Sequence, residues 1–261
     1  MEIEMSTEVL EIHTSTEFSR FQRLNRQTVI LDRIQKAKID RKIVDVFGNF
    51  WSICVTKNLP AGQLYLHRHS KKIEIVGTVG VFVPPYSVLE WEIGQFDFQW
   101  KAIIVNGKPP ARSPETAICF KIDEIDYPET GDQFFKLFNF MREFEEVAKE
   151  EKLTPLAFAI KNYLDKHYME SISLNEISKT LGCSLGAMSR SFRNCYGITP
   201  VNYRNQLRVF SASLILLQGQ KVSDVGYDVG FYDLGRFNKQ FKSRMNSVPK
   251  QFIPKQNLNR T

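Results

Sequence analysis

The chain has 261 residues, of which 43% are hydrophobic, 12% aromatic and 25% charged. This composition supports a buried core and argues against disorder for the bulk of the chain, and the length favours two domains. No run of about 18 apolar residues occurs, and the acidic start MEIEMSTEVLEIH differs from the basic, then apolar start of a signal peptide. We therefore expect a cytoplasmic protein with no membrane partner.

The net charge of +6 is unevenly distributed along the chain. Residues 155–261 carry 15 Lys and Arg against 6 Asp and Glu, a net charge of +9, which leaves −3 for residues 1–154. Basic charge confined to one part is expected when that part binds a phosphate backbone and a neutral or acidic part has a sensing role. A general basic surface, as on a ribosomal or membrane-associated protein, is the alternative.

The first 120 residues are predicted to be rich in β-strands. Residues 1–45 contain short apolar alternations and are interpreted as an N-terminal arm that leads into strands. From Ile43 to Phe120, short runs of branched and aromatic residues are separated by glycine and proline turns. This pattern predicts an antiparallel sandwich or barrel. The cysteines, which form no CxxC pair, are expected to be free and mostly buried thiols: Cys54, Cys119, Cys183 and Cys195.

A candidate metal motif lies inside this region. Four residues of this region resemble the first metal-ligand motif of the cupin barrel: Gly62, His67, His69 and Glu74. Histidines at alternate strand positions point the same way, and a carboxylate could complete a set of ligands for a divalent metal. The cupin pattern needs another histidine on a later strand, where the corresponding segment offers Glu90 and no histidine. A histidine pair without a metal is therefore the alternative, and we predict no cofactor.

Residues 132–150 are predicted to form an amphipathic helix after Gly131. Its apolar stripe includes Phe134, Phe138 and Met141, opposite a row of glutamates. Part of the stripe should cover the β-structure, and the remainder either meets the same helix of a second subunit in a homodimer or stays within the domain. Residues 151–154 are then a short linker between the domains 1–150 and 155–261.

The stretch Ser173 to Phe192 has the form of two short helices joined by a glycine turn. Ser173 and Ser184 can cap the helices, and Gly182 supplies the left-handed turn residue. Apolar residues recur on one face of each helix, whereas basic residues occupy the other face of the second helix. This is the arrangement of a helix-turn-helix, whose second helix enters the DNA major groove. An ordinary helical hairpin is the alternative.

The same pattern occurs again from Val222 to Phe241, with a turn at Gly230 and a cap at Asp233. Internal repetition favours the helix-turn-helix interpretation over a hairpin. Between the copies, Thr199 to Leu217 is predicted to be one long helix, because Thr199 can cap it and proline is tolerated at the first helical position.

Two such units on one connecting helix resemble the DNA-binding domain of AraC/XylS-type transcription regulators, over roughly residues 157–252. The residues that match the pattern of that family are Leu174, Gly182, Ser184, Arg190, Phe192, Gly197, Tyr203, Arg208, Ala212, Leu216, Gly230, Phe231, Phe237, Phe241, Lys242 and Pro249. The usual alanines are replaced by Ser178 and Gly226, and the usual late glycine by Asn246, which also tolerates a left-handed backbone.

The expected fold class is therefore α+β. A mostly antiparallel, cupin-like β barrel or sandwich with helices occupies residues 1–150. An all-α domain with two helix-turn-helix units joined by a long helix occupies residues 155–261. Regulators of this family often carry such a β-domain as a sensor without a metal.

The resemblance also implies which residues bind DNA. They are Ser184, Leu185, Gly186, Ser189, Arg190, Arg193, Leu234, Gly235, Asn238, Lys239 and Lys242. Gly186 and Gly235 occupy groove-facing positions where family members often carry a large side chain. We therefore expect fewer side-chain contacts to base edges than is usual.

The resemblance implies a sequence-specific, double-stranded DNA-binding regulator, an activator as is common in the family. Its partners would be a small-molecule effector or a protein at the N-terminal domain and, for an activator, RNA polymerase. A metal-dependent enzyme built on the histidine motif is a competing hypothesis, but no further acid, base or nucleophile converges there. A DNA-packaging protein without sequence preference would also fit the thin recognition face.

Overall fold

The computed structural model describes residues 8–68, 71–111, 113–138 and 154–255. Within these residues the N-terminal part consists mainly of antiparallel strands. They are β1 (Glu8–His13), β2 (Glu17–Arg23), β3 (Thr28–Lys36), β4 (Arg41–Val46), β5 (Phe50–Leu59), β6 (Leu64–Arg68), β7 (Lys71–Glu74), β8 (Gly77–Val83), β9 (Val88–Ile93), β10 (Asp97–Asn106) and β11 (Ile118–Lys121). A one-turn 3-10 helix, Glu124–Asp126, and helix α1, Gly131–Lys136, follow.

The strands form two separate sheets. The large sheet has the order β1-β2-β3-β10-β5-β8-β11, and the small sheet has the order β4-β9-β6-β7. In the centre of the large sheet, Ile103 of β10 lies opposite Ile30 on one side and Ile53 on the other. Among the described residues neither sheet closes on itself, because the edge strands, β1 and β11 in the large sheet and β4 and β7 in the small sheet, do not pair with each other. The expected sandwich is therefore confirmed, and a closed barrel is not formed.

Successive residues of β8 separate the two faces of the large sheet. Val81 and Val83 enter a core shared with the small sheet, where they meet Leu66. Phe82 points to the opposite face, where α1 covers the sheet and buries Phe134. This alternation is the ordinary consequence of the two-residue period of a strand.

The outer strands of the large sheet face the C-terminal helices. Phe21 and Leu31 are opposite one another in β2 and β3, and both share a core with residues such as Val209 and Phe241. Residues 1–45, predicted to be an arm leading into strands, already contain β1 to β3 and most of β4. The alternation is weak in β3 because both of its faces are covered: Val29 and Leu31 enter the core with the C-terminal helices, and Ile30 enters the core under α1.

The C-terminal part is helical, as predicted. Its helices are α2 (Pro155–His167), α3 (Leu174–Thr180), α4 (Leu185–Tyr196), α5 (Pro200–Leu216), α6 (Val222–Asp228) and α7 (Leu234–Met245), followed by a 3-10 helix, Pro249–Phe252. The caps predicted at Ser173, Ser184, Thr199 and Asp233 are formed, each side chain accepting a hydrogen bond from the first turn. Asn246 ends α7 in the left-handed conformation with φ of 51°.

The predicted helix 132–150 begins as expected, because Thr130 and Gln133 form a capping box at the start of α1. Residues 139–153 lie outside the described residues. The part that was expected to dimerise, with Met141, therefore stays a prediction, as does the linker. The four cysteines are free and half-buried.

Candidate nucleic-acid interface

The first helix-turn-helix unit consists of α3 and α4. Ser173 and Glu176 form a reciprocal capping box at the start of α3, and the hydrogen bonds are 3.2 and 2.7 Å long. Gly182 turns the chain with a φ of +62°, after which Ser184 accepts a hydrogen bond from the amide of Ala187 at 3.1 Å. Phe192 is fully buried, so the side of α4 that carries Arg190 and Arg193 faces outward.

The second unit consists of α6 and α7 and repeats this plan. Gly230 turns the chain with a φ of +91°, and Asp233 caps α7. Gly226 replaces the alanine expected at this position and lies close to α7. A β-carbon at Gly226 would lie 2.9 Å from Leu234 Cδ2 and 3.1 Å from Phe237 Cδ1. A methyl group there would therefore require these two side chains to shift.

The candidate DNA-binding residues lie on the accessible sides of α4 and α7. Ser189 and Leu234 are half-buried, and the other nine are exposed: Ser184, Leu185, Gly186, Arg190, Arg193, Gly235, Asn238, Lys239 and Lys242. Leu185 is 44% exposed at the first position of α4, although it is a large apolar side chain. An exposed leucine at this position can contact the methyl group of a thymine, which is a common apolar contact in the major groove.

The glycine at position 186 changes how Arg190 lies on the helix. A β-carbon at Gly186 would be 3.4 Å from a terminal nitrogen of the Arg190 guanidinium. The arginine therefore folds back over the place that a side chain of residue 186 would otherwise occupy. At Gly235, the corresponding space is next to Asp233, whose carboxylate oxygen would lie 3.1 Å away. In the first unit, Arg190 thus occupies the space left by the missing side chain of residue 186.

Three arginines gather between the two units, and the sequence pattern gave no reason to group them. Burial lowers the pKa of Arg208 to about 10, and the positive charges of Arg204 and Arg236 lower it further. Burial also lowers the pKa of Arg204, again with a contribution from Arg236. Tyr232, 66% exposed, lies beside them. Arg204 and Arg208 lie at least 26 positions before the recognition helix that carries Arg236, so only the fold brings the three together.

Arg208 connects the turn after α2 with the second unit. It donates hydrogen bonds to the backbone carbonyls of Tyr168 and Glu170, and its guanidinium lies 5.5 Å from the ring centre of Phe231. The same contact explains Gly230, because a β-carbon there would lie 2.3 Å from the carbonyl oxygen of Met169. The turn after α2 and the turn of the second unit are thus held together.

The candidate metal ligands have other partners. His67 Nε2 lies 2.9 Å from Glu92 Oε2, and Glu74 accepts a hydrogen bond from the amide of Gly62 at 2.6 Å. Hydrogen bonds from Lys72 and His67 lower the pKa of Glu92 to about 2. His69 lies outside the described residues. Among the residues that the structure describes, no three His, Cys, Asp or Glu side chains are grouped to hold a metal ion.

Sequence comparison supports the helix-turn-helix assignment. Residues 177–254 match a family described as a helix-turn-helix domain. The HTH-type transcriptional regulator YbfI of Bacillus subtilis is 37% identical over 71 residues, which cover 27% of this chain and 26% of that protein. The HTH-type transcriptional activator RhaS of Escherichia coli is 24% identical over 132 residues, 49% of this chain and 48% of RhaS. These matches therefore span about half or less of the curated relatives.

The whole chain resembles a solved structure in fold. Unsaturated fatty acid-bound ToxT from Vibrio cholerae has a TM-score of 0.56 and is 13% identical, covering 88% of this chain and 96% of ToxT. At this identity the likeness concerns the arrangement of β-sheets followed by helices. Within the described residues, none of the helices combines the length and the apolar character needed to cross a membrane.

Proposed function

We propose that this chain, which carries an AraC-type helix-turn-helix domain in its C-terminal part, is a transcription regulator that binds duplex DNA with two recognition helices. The observation that carries the proposal is the repetition of one exposed surface. Helices α4 and α7 each follow a glycine turn, each begin at a capping side chain and each present basic side chains outward. The curated relatives reported above are named as regulators, which favours this function over the metal-dependent enzyme.

The proposed mode of binding follows from the connecting helix. Helix α5 has 17 residues and, at about 1.5 Å per residue, is about 25 Å long. Recognition helices at its two ends can enter successive major-groove segments on one side of the duplex, which are separated by about 34 Å. Arg190, Arg193, Lys239 and Lys242 would contact bases or phosphates. With glycine at positions 186 and 235, we expect much of the affinity to come from phosphates and part of the sequence preference from DNA shape.

Regulation is proposed for the N-terminal part. We infer an activator that is controlled by an effector or a partner protein at residues 1–150, joined by the linker 151–154 to the DNA-binding domain 155–261. An activator would also contact RNA polymerase. RhaS is named as an activator, and ToxT is named as a protein with a bound fatty acid, which supports this line of proposal. We further propose a cytoplasmic homodimer whose contact is the helix predicted over 132–150.

The dimer proposal can be tested with two substitutions in the full chain. Phe138→Glu tests whether this helix covers the large sheet, because the ring centres of Phe138 and Trp51 are 5.2 Å apart. A glutamate at Met141 tests the dimer contact, since a charge in an apolar seam disfavours association. Met141→Glu should change a dimer into a monomer in analytical ultracentrifugation. A monomeric wild-type chain would remove this part of the proposal.

The function itself is tested by selection of binding sites from a random library of duplex DNA with the full chain. A regulator should enrich one sequence and bind it far more tightly than bulk genomic DNA. Its affinity should fall steeply with salt, because each phosphate contact contributes about −0.9 to the slope of log K against log salt. Enrichment of no sequence, with equal affinity for bulk DNA, would instead favour a DNA-packaging protein.

A further inference from the structure

The free edge of strand β4 is capped by a glutamine of the connecting helix. Gln206 Nε2 donates a hydrogen bond to the carbonyl of Val44 at 3.1 Å, and Gln206 Oε1 accepts one from the amide of Val46 at 3.1 Å. In the described residues β4 pairs only with β9, so these backbone groups point to the side where another strand would lie. One side-chain amide from α5 therefore satisfies an otherwise open sheet edge.

The residue between them reaches the second helix-turn-helix unit. Successive side chains of a strand point to opposite faces, so Asp45 leaves β4 on the face opposite to Val44 and Val46. Its Oδ1 lies 2.6 Å from a terminal nitrogen of Arg244, near the end of α7, and the two side chains are only 19% and 22% exposed. The Arg244 guanidinium also lies 4.9 Å from the ring centre of Phe210 in α5.

The two valines belong to the first unit. Val46 has no exposed surface and packs in one core with Met188 and Phe192 of α4. At the end of the same helix, a β-carbon at Gly197 would lie 3.5 Å from Val44 Cγ2. Three consecutive residues of β4 thus contact the end of one recognition helix, the connecting helix and the end of the other recognition helix.

We propose that the segment Val44–Val46 of β4 fixes the distance and angle between the two recognition helices, with Asp45, Gln206 and Arg244 as positioning residues for DNA binding. This inference rests on the proposed function, because a fixed separation matters only if both helices bind one duplex. The candidate DNA-binding residues occupy the outward sides of α4 and α7, whereas β4 contacts the ends of these helices from behind. The sheets can therefore hold the helices without covering the surface that meets DNA.

The contacts of β4 add to those within the helical part. In the described residues α5 packs into both cores, with Leu207 in that of the first unit and Val209 in that of the second. Arg208 adds a contact between the turn after α2 and Phe231. The ion pair Asp45–Arg244 lies at the other end of α7 from the turn and adds an attachment there.

Distance measurement on the full chain tests the inference without DNA. A donor and an acceptor fluorophore, introduced as unnatural amino acids at the exposed Asn194 of α4 and Ser243 of α7, report the separation of the two helices. Wild type should give one narrow distance distribution by time-resolved energy transfer, and Asp45→Ala combined with Gln206→Ala should broaden it. Arg244→Lys should stay narrow because lysine keeps a cation for Asp45.

The controls separate positioning from loss of structure. Glu11→Gln removes a carboxylate from an exposed pair with Arg20, 3.8 Å apart, and should leave the distribution unchanged. Circular dichroism must show that each variant is folded. Should the double variant not fold, Gln206→Leu, which removes only the contacts to the strand edge, is expected to broaden the distribution to a smaller extent. A folded double variant with a distribution as narrow as that of wild type overturns the inference, and so does a folded Gln206→Leu variant with such a distribution if the double variant does not fold.

Binding-site selection from a random duplex library supplies the second readout. Wild type should enrich two short segments at one spacing, and the double variant should enrich the same segments at several spacings. The same single spacing for both proteins would also overturn the inference. If wild type enriches no sequence, the proposed function is wrong, and the distance distribution alone then decides whether β4 positions the helices.

Discussion

The two helix-turn-helix units share one plan but differ in what covers their apolar faces. In the first unit, α2 packs against α4 and contributes Ile160 and Leu164 to the core, and the sheets add only Val46 as a fully buried residue. In the second unit, the connecting helix α5 has the corresponding position and contributes Val209 and Ala212. The large sheet adds a further cover with Phe21 and Leu31, together with Phe252 of the last 3-10 helix.

Both arrangements show that a helix-turn-helix needs a further element to cover its apolar face. Two short helices cannot bury an apolar face alone, so a third layer must cover them. The chain provides a helix for each unit, α2 for the first and α5 for the second, and adds the large β-sheet to the second. We therefore expect the first unit to be stable largely on its own contacts, and the second unit to unfold together with strands β1 to β3.

The largest expected effect comes from the phenylalanine at the centre of each unit. Phe192 and Phe237 are both fully buried, and Phe192→Ala or Phe237→Ala should lower the free energy of unfolding by about 3–5 kcal/mol through cavity formation. Amide hydrogen exchange distinguishes them. Phe192→Ala should speed exchange in α2 to α4, whereas Phe237→Ala should also speed it in β1 to β3. The same exchange pattern for both variants would contradict the comparison.

Leucines in two different cores test whether the large sheet covers the second unit. Leu31 in β3 packs against the helices, and Leu66 in β6 packs between the sheets. Either change to alanine should lower the free energy of unfolding by about 2–5 kcal/mol. Only Leu31→Ala should increase hydrogen exchange in α6 and α7. If Leu66→Ala does so equally, the sheet does not cover the second unit in the way described.

Removal of a groove-facing arginine should affect binding without affecting folding. Arg190→Ala should weaken binding to the selected DNA site by about 1–3 kcal/mol if the guanidinium contacts a guanine. Its melting temperature should remain that of wild type, in contrast to Phe192→Ala. Arg20→Ala removes an arginine of β2 that is also exposed and is the matched control for charge. An equal loss of binding for Arg190→Ala and Arg20→Ala would mean that the recognition face is assigned wrongly.

The smallest expected effect concerns the first helix of each unit. Ser173 caps α3, whereas Lys221 precedes α6 without a side-chain hydrogen bond to the helix. Ser173→Ala should therefore lower the free energy of unfolding by about 0.5–2 kcal/mol, and Lys221→Ala should leave it nearly unchanged. Chemical denaturation measures both. A loss of stability for Lys221→Ala as large as that for Ser173→Ala would show that the two starts are equivalent.

The helical part was predictable because its signals are local. Ser184 and Asp233 cap the recognition helices, and Gly182 and Gly230 take the left-handed turn conformation, each within a few residues of the feature that it specifies. The sheets were less predictable, because pairing partners are far apart in sequence. The alternation of residues predicted strands and a sandwich or barrel, but it did not reveal that β10 lies between β3 and β5.

The candidate site, too, was predictable from the sequence only where its features are local. The exposed faces of α4 and α7 followed from helical periodicity. The cap of β4 by Gln206 joins residues 160 positions apart, and no pattern in the sequence indicates it. His67 was interpreted as a candidate metal ligand, and its partner Glu92 was not anticipated, because β9 reaches β6 only through the sheet topology.

Footprinting of the full chain on its selected DNA site shows whether both recognition helices bind one duplex. Two recognition helices on one connecting helix should protect two short segments centred about 10 base pairs apart, on one side of the duplex. Arg190→Ala should weaken protection of one segment, and Lys239→Ala should weaken protection of the other. Protection of a single segment, or loss of the same segment in both variants, would contradict the account.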